Sequence, residues 1–273
     1  MAEVVSFREP VGSDKTLFVW KLSPGPGAEA LHHSLFTAFS QFGLLYSVRV
    51  FPYAPEIAPG FYAIIKFYSA RDAYRAQKAC DQKQLFQKSP VKVRLYPRRK
   101  VHQYPVNPLS SFKCQELANY YLGFSGWSKR IIMLQELSDF QVKENTSPAK
   151  SSAGQSLKYF CALEVVLPAY GCQSRGTGIA GEDLEQQEGP LEFLMKKKKT
   201  QKLAIQKALS DAFQKLQMVV LESGKVAVEY RPTEEGDSAT GEFEDLIQVN
   251  NISWNRSYQE EEECLSDFGL DEE

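Results

Sequence analysis

The chain is poor in the residues that carry most enzyme chemistry. Of its 273 residues only three are histidine (His32, His33 and His102), and the five cysteines are scattered at positions 80, 114, 161, 172 and 264. No Cys-x-x-Cys pair or Cys/His cluster occurs, so a zinc centre is not expected and the cysteines read as reduced thiols. Imidazole-based catalysis and metal ligation have few candidates. No run of eighteen apolar residues is present, which excludes an evident membrane-spanning helix. The opening MAEVVSFREP has no charged-then-apolar leader. These absences point to an intracellular, soluble protein with no cofactor and no membrane partner.

Positive charge is nearly missing from one end. Glu234 to Glu273 holds fourteen acids and a single base, Arg256, which leaves twenty acids against thirty-one bases in the rest. The overall net charge of −2 therefore conceals a basic body with an acidic tail. That polarity suits a nucleic-acid binder whose tail competes with its ligand or takes a basic partner. For the tail alone, a solvated, disordered terminus without a role stays open. The length allows one large domain or two small ones with full cores.

The residues present begin to organise near Lys15, and the segment to Tyr96 reads βαββαβ. In LFVWKL (17–22) Leu17 and Val19 point to one side of a strand and Phe18 and Trp20 to the other, because strand side chains alternate. Leu31, Leu35, Ala38, Phe39 and Phe42 give a helix with one apolar stripe, ended by Gly43. A strand over 45–51 and a proline-rich loop over 52–60 follow. In GFYAIIKF (60–67) Phe61, Ala63, Ile65 and Phe67 share one face and Tyr62, Ile64 and Lys66 the other. Ser69 with Asp72 predicts a capped helix to about Cys80. VKVRLY (91–96) alternates Val91, Val93 and Leu95 against Lys92, Arg94 and Tyr96. Two strands with aromatics opposite their core residues make a platform for nucleobases, with Lys66 and Arg94 near enough to hold phosphates. A sheet buried on both sides is the plainer alternative.

This order and these aromatics resemble the RNA-recognition motif (RRM) family over about a third of the chain. LFVWKL stands for the family's strand-one motif, with Lys21 where Asn is usual. GFYAIIKF stands for its strand-three motif, with Gly60 in place of a basic residue, Phe61 in place of Gly, and Ile64 where a third stacking aromatic is common. The resemblance implies Phe18 and Tyr62 as the stacking pair, with Trp20 partly replacing the missing ring. Beyond it, PRRKVHQYPVNPL (97–109) is a linker whose Arg98, Arg99 and Lys100 extend the phosphate-binding face, or an ordinary solvated connection.

A second region opens near Ser110. SFKCQELANYYLGF reads as a short helix with Phe112, Leu117, Tyr120 and Tyr121 on or near one face. A turn and strand over 126–137, a flexible connector over 143–156 and a strand over 157–167 come next. A glycine-rich polar loop is expected over 171–190. Its Gly176-x-Gly178-x-x-Gly181 spacing is formally a dinucleotide fingerprint. That reading is rejected, because the loop begins well past Leu167 and leads into EDLEQQEG, whose acids repel phosphate. From 191 to 216 an amphipathic helix is predicted with Leu203, Ala208, Leu209, Ala212, Phe213 and Leu216 as its apolar stripe. Lys196, Lys197, Lys198, Lys199, Lys202 and Lys207 make its other side basic, and binding through them would release counterions. A solvated face or a nuclear-import signal is the alternative for the tetrad alone. Lys129 and Arg130 extend the patch, and a hairpin around Ser223–Gly224 closes the region.

The string from Leu157 to Leu216, with SFKCQELANYYLGFSGWSKRIIMLQEL before it, resembles the DNA-binding core of the Rad-fifty-two recombination mediators. Its fusion to an N-terminal RRM is the layout of the Rad-fifty-two-motif-containing family. The resemblance implies single- and double-stranded DNA and RNA as ligands, self-association, and a role in the DNA-damage response, repair or recombination. It carries Lys196–Lys199, Lys202 and Lys207 across as phosphate contacts. The family's annealing domain is much longer than this region, so ring assembly and annealing do not carry over.

The expectation is thus an α+β protein: an RRM-type domain over 15–100, a second small α+β DNA-binding region with a long basic helix over 109–231, and an acidic, disordered tail over 232–273. Its function is non-catalytic DNA and RNA binding in the nucleus and cytoplasm. The alternative is an RNA-processing factor in which the RRM binds single-stranded RNA and the second region is a scaffold. A nuclease ranks last, because metal-assisted cleavage needs clustered carboxylates or histidines and most acids here lie in the tail.

Overall fold

The computed structural model describes residues 2–23, 25, 27–53, 60–96, 106–137, 156–184 and 189–231. In chain order its elements are β1 (Glu3–Ser6), β2 (Thr16–Leu22), α1 (Ala28–Ser40), β3 (Leu45–Pro52), β4 (Phe61–Phe67), α2 (Ala70–Cys80), β5 (Lys92–Leu95), α3 (Ser111–Leu122), β6 (Ser128–Leu137), β7 (Ser156–Leu167), β8 (Cys172–Asp183), α4 (Pro190–Gln214), β9 (Leu216–Val220) and β10 (Val226–Tyr230). Of the connector expected over 143–156, residues 143–155 lie outside the described residues, as do the acidic tail and Arg98, Arg99 and Lys100, while Ser156 already opens β7.

Alternation builds the first sheet, an antiparallel set in the order β3-β4-β2-β5. Leu17, Val19 and Leu22 of β2 and Ala63, Ile65 and Phe67 of β4 bury one face. Leu35 and Phe39 of α1 and Ala73, Ala76 and Cys80 of α2 pack onto it, with Val91 and Val93 from the β5 segment. Each fully buried Leu or Phe contributes about 1.5–3 kcal/mol. Leu95, expected on the same face as Val91 and Val93, is exposed at the end of its edge strand.

Helix α2 begins as its sequence predicts: the Ser69 Oγ accepts from the Asp72 amide at 3.2 Å. The other donors at this terminus go to a residue far away in sequence. The Glu3 carboxylate accepts from Ser69 Oγ at 2.6 Å, Ala70 N at 2.5 Å and Arg71 N at 3.5 Å. An anion there also meets the positive end of the helix dipole. Glu3 lies on β1, which pairs antiparallel with β9 in a second sheet of order β1-β9-β10. Phe7 follows it into the core, its ring centroid 4.7 Å from that of Phe213 on α4. Lys66 of β4 meets Glu9 at 3.1 Å, and Arg71 of α2 donates to the Leu221 carbonyl at 3.1 Å. The sequence pattern assigned no element before Lys15, yet this segment ties the RRM-type sheet to the C-terminal hairpin. Residues up to Arg231 cluster as one unit.

The third sheet, β6-β7-β8, is antiparallel, and α3 and α4 share a core with it. Here three expectations need correction. The glycine-rich segment is no loop over 172–183 but the twelve-residue strand β8, paired with β7 from Leu167↔Cys172 to Ser156↔Asp183. Its glycines are packing residues. A Cβ on Gly176 would stand 2.2 Å from the Ala208 carbonyl oxygen and 2.3 Å from the Ala212 nitrogen of α4. One on Gly178 would stand 2.4 Å from the Ala208 nitrogen and 2.5 Å from the Ala204 oxygen. The rejected dinucleotide spacing thus belongs to a helix-on-strand contact.

The buried stripe of α4 correspondingly runs Thr200, Ala204, Ala208, Ala212 at four-residue steps, with Leu209 and Phe213 beside it. Leu203 is exposed, because small residues let the helix approach the glycines and a leucine there would not. On α3 the buried face is Cys114, Leu117 and Ala118, with Tyr121 packed against the core. Phe112 and Tyr120 point outward. A helical stripe at steps of three and four selects 114, 117, 118 and 121 and leaves 112 and 120 on the flanks. The predicted hairpin is present, with Gly224 at φ +81° in its turn.

Candidate nucleic-acid interface

On the first sheet the face turned away from α1 and α2 carries Phe18 and Trp20 of β2 and Tyr62 of β4, all half-buried and outside both buried cores. Phe18 stacks on Trp20 with ring centroids 5.4 Å apart and meets Tyr62 at 5.5 Å. The strip continues beyond the residues the sequence singled out. Phe51, directly across from Tyr62 on β3, stacks on it at 5.3 Å, and Tyr53 lies 5.5 Å from the same ring. Tyr96 meets Phe18 edge-on at 6.4 Å. The ring missing at Ile64 is therefore supplied from β3 and from the end of β5. Phe51 and Tyr53 stand at alternating positions with Arg49, which is the signal that would have found them. They were hidden by the loop that begins beside them. Such rings offer flat, sequence-tolerant stacking surfaces.

The cations around this strip differ in freedom. Lys66 is held by Glu9 and lies 5.7 Å from the centroid of the Tyr46 ring. Arg94 stands across from Phe18 and meets Asp81 at 3.3 Å, while Lys92 stands across from Trp20. Arg49 is exposed and paired in register with Ile64, in the middle of the strip. Lys21, at the position where the RRM family has Asn, adopts φ +62° in a β-bulge between Val19 and Leu22. Asn tolerates this left-handed backbone better than Lys, which gives the family's residue a conformational reason.

The second candidate surface is α4, where the six lysines are not equivalent. Lys197 is 3.6 Å from Glu136, and its hydrogen bond to the Tyr159 hydroxyl, aided by Glu136, raises its ammonium above the usual lysine range. Lys199 pairs with Glu182 at 2.9 Å. Lys196 donates to the Asp183 carbonyl at 3.1 Å and Lys207 to that of Ile179 at 2.9 Å. These contacts fasten the helix to β8 and β6. Lys198 and Lys202 are exposed, and among the described residues neither has an acidic partner. Four residues apart, they lie one above the other on the helix. Arg130 does not extend this patch: it is in register with Glu164 of β7, on the sheet face opposite α4.

Among the described residues no three His, Cys, Asp or Glu side chains gather as metal ligands. Burial pushes the Cys80 and Cys161 thiols up to about 11 and Cys114 to about 12, so they are protonated and unreactive at neutral pH. No described helix is long and apolar enough to cross a membrane.

Two family models match the chain, the RNA recognition motif over residues 28–90 and the RDM1 DSRM domain over 109–217. These matches define a nucleic-acid-binding protein built from an RRM and a DSRM domain, both of them nucleic-acid-binding domains. RAD52 motif-containing protein 1 of Homo sapiens is 66% identical over 276 residues, covering 100% of this chain and 97% of its own. The same-named protein of Macaca fascicularis is 65% identical with the same coverage. That of Danio rerio is 37% identical, covering 97% of this chain and 95% of its own. The chain belongs to the RAD52 motif-containing protein 1 family. Among solved structures, the Mip6 RRM3 domain is 23% identical and covers 32% of this chain and 98% of its own, with a TM-score of 0.27.

Proposed function

We propose that the protein is a non-catalytic DNA- and RNA-binding accessory of the DNA-damage response, repair or recombination, acting in the nucleus and cytoplasm and able to self-associate. The observation that carries the binding part is the continuous ring strip Trp20–Phe18–Tyr62–Phe51 on the sheet face turned away from α1 and α2. Its width suits consecutive bases of a single strand. The exposed Lys198 and Lys202 on α4 supply a second, phosphate-directed surface of a kind that takes single strands and duplexes alike. The name shared by the relatives supports the link to recombination. In this reading the acidic tail takes a basic partner, and no cofactor participates.

A second reading, an RNA-processing factor, is favoured by the same strip, which with Phe51, Tyr53 and Tyr96 is a fuller single-strand reader than its two motif strands alone provide. The discriminating experiment is a salt titration of binding by the intact chain to single-stranded DNA, duplex DNA and single-stranded RNA. The first reading expects all three to bind with a steep salt dependence. Binding confined to single-stranded RNA would replace it with the second. The intact chain is required, because β1 would be severed from β9 if the modules were cut apart.

A further inference from the structure

The face of the β6–β7–β8 sheet turned away from α4 holds a cationic cluster of its own. Glu164 stands at the centre of β7, directly across from Arg130 on β6 and from Arg175 on β8. The opposite faces are certain from register: Leu163 pairs with Gly176 and Cys161 with Gly178, the glycines that touch α4, so Glu164 and Arg175 point the other way. Arg130 Nη2 donates to one Glu164 carboxylate oxygen at 2.8 Å and Arg175 Nε to the other at 3.2 Å. Burial by itself would push this carboxyl up, but the hydrogen bonds and charges of the two guanidiniums outweigh it and hold it below the usual carboxylate range.

The exposures are unequal. The Glu164 side chain is 3% exposed, whereas Arg130 and Arg175 are 71% and 73% exposed. One buried carboxylate therefore orders two arginines at the surface and leaves a surplus positive charge. Each guanidinium has five N–H donors in one plane, and Glu164 takes one from each. Neighbouring strands lie about 4.8 Å apart, which sets the two arginine backbones roughly 10 Å from each other across β7. Gln173 and Thr177 flank Arg175 on the same face of β8 and are exposed, adding an amide and a hydroxyl. Planar guanidiniums suit bidentate contact with phosphate, and hydroxyl and amide groups are common further contacts to the backbone of a nucleic acid.

We propose that Arg130 and Arg175, positioned by Glu164, form a phosphate-binding site for a nucleic-acid strand on the sheet face opposite α4. This rests on the reading of the protein as a nucleic-acid binder, and deepens it: the DSRM module engages nucleic acid on two sides, through α4 on one and through the arginine pair on the other. Two strands held on opposite faces of one small sheet is a geometry for bridging rather than for tracking a single duplex.

The test uses the full chain and fluorescence anisotropy with labelled single-stranded and duplex DNA oligonucleotides over a salt series. R130Q/R175Q should flatten the log–log salt slope by about 1.4 for the single strand and about 1.8 for the duplex, from roughly 0.7 and 0.9 per lost contact. Removing both arginines strands a buried carboxylate. The all-amide variant R130Q/E164Q/R175Q, which keeps neutral hydrogen-bonding groups at the three positions, should therefore show the same flattening with a cooperative unfolding transition. A wild-type slope in that variant, alongside a reduced slope in K198Q/K202Q, overturns the proposal and leaves the nucleic-acid reading standing. Failure of the unaltered chain to bind any of these oligonucleotides overturns the two together. Binding of polyglutamate that disappears in R130Q/E164Q/R175Q while the oligonucleotide slopes hold overturns it in favour of an acidic protein partner.

Discussion

The first sheet meets its helices with bulky residues, Leu17, Ile65 and Phe67 against Leu35 and Phe39, and leaves its other face lined with rings. The third sheet meets α4 with glycine against alanine, which brings the helix close and turns its long lysines outward. In the proposed reading the sheet itself is the ligand surface of one module and the covering helix that of the other. The difference is chemical as well as geometric. Rings recognise bases by contact that depends little on salt, whereas lysines recognise phosphates by releasing counterions, so their contribution falls steeply as salt rises.

The contrast breaks most readily at the glycines. Gly176→Ala or Gly178→Ala would drive a Cβ into α4 backbone and is expected to cost about 3 kcal/mol or more, read as a fall in the urea midpoint. A wild-type midpoint in both variants would mean that α4 does not lie this close. On the first sheet, Phe18→Ala with Tyr62→Ala should weaken single-strand binding by roughly 1–3 kcal/mol per lost stack while leaving the salt slope nearly untouched. A changed slope with unchanged affinity would reverse the roles assigned to the two surfaces.

On α4, K198Q/K202Q should flatten the slope for duplex DNA by about 0.9 per lost contact. K197Q/K199Q should do less, because those lysines already face Glu136 and Glu182. Equal effects from the two pairs would erase the distinction between free and engaged lysines. The smallest expected effect is in pH. The Glu164 carboxyl is depressed in the folded state, so its stabilising contribution is present above the ordinary carboxylate range and is lost as pH falls through its folded value. Urea midpoints measured from neutral to acidic pH should show a decline that shrinks in Glu164→Gln.

How legible these features were follows the physics of each signal. Period-two alternation exposed β2, β4 and β5, and the Ser69–Asp72 spacing located the start of α2. Phe18 and Trp20 were visible as rings on the face opposite the core because their neighbours Leu17 and Val19 are so plainly buried. Strand β8 was opaque, since Gly176 and Gly178 have no side chain to alternate and glycine ordinarily signals a turn. Leu203 misled for the complementary reason: hydrophobicity marks a stripe, but the contact with β8 selects for size. The pairing of Arg130 and Arg175 through Glu164 depends on register across three strands, which a linear reading does not contain.

One consequence follows from the pairing of β1 with β9. The first strand of the chain has no partner until residues roughly two hundred positions later have been made, a large loop to close before any contact repays it. During synthesis the RRM-type sheet is complete while Glu3–Ser6 still presents an unpaired edge. The pairing of Glu3–Ser6 thus waits on residues 217–220, and a fusion placed directly before Glu3 would burden that closing step rather than the domain it adjoins.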